Sequence, residues 1–234
     1  MINITIWSDF ACPYCYIGER RLQDAIKELG WENNFQTDFK AFELNPDAPK
    51  VATGTIVEKL AKKYNLTLEA AKQKVDEICK LGREIGIDFR YDTAKSSNTR
   101  DAHRLMKLAE ARYDRDTVEK LNETLFADYF TRNLTLADPT VLLNAATSSG
   151  LKEEDAKEVL DSNLYEEDVL KDEQEAAMRN IHGVPYIVFD NKYAVPGALS
   201  IDDFKSVLRQ VFDEKTEEKL NANAKSCNGN SCEV

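Results

Sequence analysis

Strand-like patterning lies only near the two ends of this 234-residue chain, and a block of over a hundred residues with helical patterning separates the two ends. A single sheet must then draw its strands from both ends, with the helical block leaving and rejoining it as an insertion. At the N-terminus, Ile2-Asn3-Ile4-Thr5-Ile6-Trp7 alternates apolar and polar residues and predicts a strand. From Tyr16 to Leu29, the apolar positions Ile17, Leu22, Ala25, Ile26 and Leu29 predict a helix stopped by Gly30. A second strand is expected over 35–42. Strand, helix and strand with short connections begin an α/β unit.

Asn45-Pro46-Asp47-Ala48-Pro49 breaks the pattern and marks a boundary. Helical segments follow near 55–64, 67–85, 99–112, 115–130, 138–148 and 152–160. The clearest start is Asp138-Pro139, where Asp caps exposed N–H groups and Pro occupies a first-turn position that needs none. Residues 151–175 carry eleven Asp or Glu against three Lys, read as a solvated helical face or, second, a docking surface for a basic partner. Strand character returns at Tyr186–Phe189 and again at Lys192–Val195, joined by Asp190-Asn191, two residues that suit a tight hairpin turn. Leu199 to Phe212 then has helical spacing and would cover one sheet face, and poor order is expected from Leu220. The expected division is a first α/β part over 1–45, an all-helical insertion over 46–175, the second α/β part over 176–213 and a tail over 214–234.

Composition narrows function by exclusion. With 42 acidic and 31 basic side chains the net charge is −11, which disfavours nonspecific binding to nucleic acid or an acidic membrane. No segment approaches the length of apolar sequence needed to span a bilayer. The opening residues lack the basic, apolar and small-residue sequence of a secretory signal. With Met1 as the natural start, the chain reads as cytoplasmic, where close thiol pairs are reactive more often than permanently bridged.

Cys12-Pro13-Tyr14-Cys15 follows the first strand and leads into the first helix. Spacing of three places both sulfurs on one side of a first helical turn, close enough to bond. Unpaired N–H groups at a helix start favour negative charge, so the Cys12 thiolate is expected to be stabilised and to act as attacking and leaving group. Cys15, deeper in the turn, suits the resolving step. Pro13 is tolerated there because it needs no N–H partner, and Tyr14 offers an aromatic contact beside the sulfur. A zinc site would need two more ligands, and the only histidines, His103 and His182, lack finger-like spacing; two inert buried thiols are the other alternative. The strand-to-helix position favours redox exchange, with no metal.

Val184-Pro185 immediately precedes the returning strand, a place that suits either a cis bond or a simple loop proline. Three segments now carry a resemblance. Ser8-Asp9-Phe10-Ala11-Cys12-Pro13-Tyr14-Cys15-Tyr16-Ile17-Gly18 resembles the opening of DsbA-like thioredoxin-fold oxidoreductases, in particular their FrnE-like branch. Asn98-Thr99-Arg100-Asp101-Ala102-His103-Arg104-Leu105 resembles that branch's helical-domain motif. Gly183-Val184-Pro185-Tyr186 and Tyr193-Ala194-Val195-Pro196-Gly197-Ala198 resemble its closing half. The resemblance spans about residues 1–212. It implies a thioredoxin fold with a large all-helical insertion, Cys12 as an exposed nucleophile, Cys15 as resolving thiol and a cis Pro185 facing them. It also implies exchange with thiol- or disulfide-bearing proteins or small thiols, with no cofactor required and glutathione as a candidate thiol substrate or reductant. Related 2-hydroxychromene-2-carboxylate isomerases and kappa-type glutathione transferases normally carry serine at the first cysteine position, so retention of both cysteines favours the dithiol reaction. Glutathione-dependent isomerase or transferase chemistry, and a thioredoxin-like binding or chaperone role, are the alternatives.

His182 adjoins the proline loop as a structural or site-lining residue, and His103 is expected in helix packing. Cys79 shares a helical face with Val75 and Ile78 and reads as a core thiol. Cys227 and Cys232 form a second close pair in the tail, read as an accessory redox pair, an inert segment or a soft-metal ligand pair. The oligomeric state is open, with dimerisation through the insertion one arrangement.

Overall fold

The computed structural model describes residues 1–52 and 54–227. β1 (Ile2–Ser8), α1 (Pro13–Glu28) and β2 (Phe35–Ala41) form the expected strand-helix-strand unit, with β1 parallel to β2 and Ile2 opposite Phe35. From the other end of the chain, β3 (Tyr186–Phe189) pairs antiparallel with β1, Ile187 opposite Ile6, and β4 (Tyr193–Pro196) closes the sheet in the order β2-β1-β3-β4. The hairpin turns on Asp190 and Asn191, whose φ values of 47° and 56° are left-handed, as a tight two-residue turn requires. These strands and the helices around them form a DsbA-like thioredoxin fold with a helical insertion.

One sheet face packs Ile4 and Ile6 against Ile17 and Leu22 of α1 and Phe204 and Leu208 of α9 (Ile201–Cys227). α9 runs past Phe212, where the expected helix ended: the sequence after Phe212 is rich in Glu, Lys and Ala and holds no Gly or Pro before Gly229, so nothing local stops the helix there. Cys232 and the side chain of Cys227 lie outside the described residues.

The second face is covered by α8 (Glu166–Met178), most of which lies in the acidic run. Part of that run therefore faces inward. Ala176 clusters with Trp7, Ile181 and Val188, and the Trp7 indole N–H donates to the Asp172 carbonyl at 3.2 Å. Asp172 itself is buried between the ammonium groups of Lys40 and Lys107, at 3.0 and 2.7 Å, and accepts the Ala41 N–H. Three donors explain how a carboxylate tolerates this position. They also explain why β1, read as an alternating strand, is buried on both faces.

The insertion contains α2 (Ile56–Tyr64), α3 (Leu68–Glu84), α4 (Arg100–Arg112), α5 (Arg115–Phe130), α6 (Pro139–Ser149) and α7 (Glu153–Leu160). Asp138 caps α6 as expected, accepting the Thr140 N–H at 2.8 Å. Thr55 and Glu58 close a capping box on α2. Phe89, Phe126 and Phe130 stack together in the insertion, and Tyr16 of α1 lies parallel to Phe126 at 5.0 Å. This aromatic stack joins the insertion to the helix that carries both candidate cysteines. Among the described residues no helix is long and apolar enough to cross a membrane.

Candidate active site

Cys12 is the N-cap of α1 and Pro13 opens the helix, so both thiols belong to its first turn. The Cys12 carbonyl accepts the N–H groups of Cys15 and Tyr16 at 3.1 and 3.5 Å, and the Cys12 N–H donates to the Asp9 carbonyl. Both cysteines are free thiols. The Val184–Pro185 bond is cis, and the Cys12 thiol donates to the Val184 carbonyl at 3.4 Å. Gly18 explains how this loop comes so near α1: a Cβ at that position would stand 3.3 Å from the Pro185 ring and 3.2 Å from Ala198 Cβ. Three separated segments of the sequence, 12–18, 184–185 and 198, thus meet at one helix start.

The resemblance led to an exposed Cys12, and the structure corrects this. Cys12 is only 3% exposed and Cys15 is fully buried. Cys12 is reached from a cleft of about 460 Å3, whose wall includes Tyr14, Lys59, Lys63, Tyr91 and Val184. The insertion supplies most of that wall, roofing the thiol over. Tyr14 stands at the rim, 44% exposed, and His182 is an exposed lining residue. Burial raises the phenols of Tyr91 and Tyr129 far above the usual tyrosine range, so both stay protonated in the cleft.

Burial raises the Cys15 thiol well above its ordinary range, reinforced by its hydrogen bond with Cys12 and the charges of Cys12 and Glu19. Cys15 therefore holds its proton unless a nearby base accepts it. Glu19 follows Cys15 by one helical turn and is itself buried. Its two oxygens accept hydrogen bonds from Ser8 Oγ at 2.5 Å and Asn122 Nδ2 at 2.6 Å. Burial pushes its carboxyl up to about 7, against the lowering effect of those two bonds. Glu19 also lines a second cavity of about 320 Å3, on the side of Arg20, Thr37, Phe39, Arg115 and Glu123. A carboxyl that titrates near neutrality thus stands between the buried thiol and a solvent-reaching space.

Sequence reasoning missed Glu19, although a signal was present: residues 15, 19, 22 and 26 form one helical stripe, otherwise Cys, Leu and Ile. It also missed Asp9, which is 1% exposed. Asp9 accepts from the Ala11 N–H, the Thr99 hydroxyl and the Leu44 N–H at 3.0, 2.9 and 2.7 Å. Asp9 therefore ties the turn before Cys12 to the motif at 98–105. His103, on that motif, packs against the Phe10 ring with its Nε2 3.7 Å from Asp9 and without a hydrogen bond. Cys79 is buried in α3, away from the cleft-lining set.

The DSBA-like thioredoxin domain family matches residues 3–209. The uncharacterized protein YwbO of Bacillus subtilis is 25% identical over 219 residues, which cover 92% of this chain and 99% of YwbO. A crystal structure of the probable DsbA oxidoreductase SCO1869 from Streptomyces coelicolor superposes with a TM-score of 0.84 at 30% identity, covering 92% of this chain and 91% of that one. The cytosolic disulfide reductase DsbM from Pseudomonas aeruginosa, solved with GSH, shares the fold at a TM-score of 0.63 and 13% identity, over 90% and 99% of the two chains. With a match over nearly its whole length, the chain belongs to the DSBA-like thioredoxin domain family.

Proposed function

We propose that this protein is a thiol-disulfide oxidoreductase that works through the Cys12–Cys15 pair. The observation that carries the reading is the division of labour between two free thiols on one helical turn. Cys12 faces the cleft beside Val184 and Pro185, whereas Cys15 lies fully buried behind it.

In the reducing direction the Cys12 thiolate attacks a substrate disulfide. A bond forms between Cys12 Sγ and one substrate sulfur, and the other leaves as thiolate. Cys15 then passes its proton to Glu19 and attacks Cys12 Sγ. The substrate leaves with its second sulfur reduced, and the enzyme holds the two-electron oxidised Cys12–Cys15 disulfide. Two equivalents of a small thiol such as glutathione regenerate the dithiol. Oxidation of a substrate dithiol is the same exchange run backwards. No cofactor enters either direction. A cytoplasmic setting, with thiols held reduced, suits reduction or isomerisation. Both cysteines favour this chemistry over a glutathione-dependent isomerase or transferase, which would activate an external thiol and leave Cys15 without work.

Cys15→Ser separates these readings. Incubated with a disulfide-bearing protein, this variant should accumulate a mixed disulfide at Cys12, mapped by mass spectrometry. Adducts that form equally well when Cys12 is also replaced, or that sit on Cys79, would refute the assignment.

A further inference from the structure

The helix α2 has an unusual task. Within α2 only Ile56 and Ala61 are buried, and Ile56, Lys59, Leu60, Lys63 and Tyr64 all line the Cys12 cleft. Those positions recur at helical spacing, the pattern with which a helix normally faces a core. Here the stripe faces the reacting thiol, and two of its five members are lysines. Glu58 and Lys62, on the other faces of the helix, do not line the cleft.

The charge of the cleft opposes that of the chain. Its cationic lining residues are Lys59 and Lys63, and the one carboxylate among the described lining residues is Asp9, 1% exposed and engaged by three donors. Among the described residues neither lysine has a carboxylate within ion-pair distance; for the half-buried Lys59 this is unusual, since the other half-buried lysines, Lys40, Lys107, Lys205 and Lys215, each have one, whereas Lys63 is exposed. Lys59 Nζ donates to the Ser96 carbonyl at 3.3 Å, which holds it over the cleft side of α2, and Lys63 Nζ lies 5.6 Å from the Tyr64 ring centroid. Uncompensated cations beside an apolar wall are a site for an anionic partner. Three of the lining residues, Tyr14, Leu44 and Tyr64, are 44, 38 and 55% exposed, so the apolar wall continues from the cavity to an open rim. That rim extends the contact beyond what a small thiol inside the cleft would cover.

We infer that α2 is a substrate-selecting helix, and that the cleft takes a polypeptide segment whose reacting cysteine is flanked by acidic residues, with Lys59 and Lys63 receiving the carboxylates. This rests on the disulfide-exchange reading and deepens it by naming a substrate class. Electrostatic recognition of this kind acts mainly on association and is weakened by salt.

The test uses the full chain and two peptides that differ only in the residues beside one cysteine, Asp and Glu in one and Lys in the other, each carried as a mixed disulfide with 2-mercaptoethanol. Wild-type protein should reduce the acidic peptide roughly tenfold faster in kcat/KM at low salt, and the ratio should shrink as salt is added. In the Lys59→Glu/Lys63→Glu variant the order should reverse, with the basic peptide faster; a misfolded protein would lose both rates together. Lys63→Gln, which leaves the Ser96 contact in place, should reduce the ratio without reversing it. Equal rates on the two peptides with the wild-type protein would overturn the inference and leave the exchange reading standing. An advantage for glutathione disulfide without any preference between peptides would overturn it in favour of a small anionic thiol. Failure to exchange with either peptide would remove the exchange reading itself, and this inference with it.

Discussion

Replacing Glu19 by Gln tests the buried carboxyl that adjoins Cys15 through stability as well as chemistry. Burial raises Glu19 from 4.5 to about 7. The native state therefore binds this proton more tightly than the unfolded chain does. Its contribution to stability is fully present below pH 4.5, is lost as pH rises through about 7, and stays constant above that. At about 1.4 kcal/mol per pH unit, the loss amounts to about 3 kcal/mol. Gln keeps the size, accepts from Asn122 through its amide oxygen and donates its amide N–H to the Ser8 hydroxyl oxygen, but has nothing to ionise. Urea unfolding of both proteins from pH 4 to pH 8 gives the difference curve, in which unrelated groups such as Glu110 and Glu173 cancel. The variant should gain on the wild type as pH rises, by about 3 kcal/mol at pH 8, or on the order of 6–12 °C in Tm for a chain of this length. The same variant should release a Cys12 mixed disulfide more slowly near neutral pH, because Cys15 has lost its proton acceptor. A stability gap that is flat with pH, or that closes as pH rises, would refute the assignment of Glu19 as a buried group titrating near 7.

Gly82→Ala should destabilise the fold by about 1–3 kcal/mol in denaturant midpoint, because the new Cβ would lie 2.6–2.7 Å from three side-chain atoms of Phe89, a core ring that must then shift. Asp172→Asn should cost about 1–3 kcal/mol, since it removes the buried carboxylate shared by the half-buried Lys40 and Lys107 and leaves Lys107 with Glu110 and Lys40 with the more distant Asp38 and Glu175; adding Lys107→Met should recover part of that loss, which would not happen if the carboxylate acted only through the Ala41 N–H. In the native protein, iodoacetamide at neutral pH should modify Cys12 through the cleft and spare Cys15 and Cys79, with peptide mapping as the readout. Labelling of Cys15 ahead of Cys12 would exchange their proposed roles.

What could be read from the sequence follows from the range of each interaction. The β1-α1-β2 unit, the start of α6 at Asp138-Pro139 and the Asp190-Asn191 hairpin are each decided by residues a few positions apart, and each was legible. The cysteine pair was legible for the same reason: its spacing and its place at a helix start are local facts. α8 was not singled out, because its inward stripe of Val169, Asp172 and Ala176 contains a carboxylate whose solvation is replaced by Lys40 and Lys107 from other elements. Hydrophobic periodicity cannot register a face that is buried by ion pairing. Glu19 escaped notice in the same way, since only Ser8 and Asn122, one on β1 and one on α5, show why an acid can occupy that stripe. The enclosure of Cys12 depends on the insertion folding back over α1, with Tyr16 stacked on Phe126 and Asp9 bonded to Thr99. In each of these cases a polar group is kept in the interior by partners far away in the chain. Those long-range polar contacts bear on the proposed chemistry: they hold Glu19 buried beside Cys15 and close the space in front of Cys12, where, among the described residues, Lys59 and Lys63 line the cleft without a carboxylate in ion-pair distance.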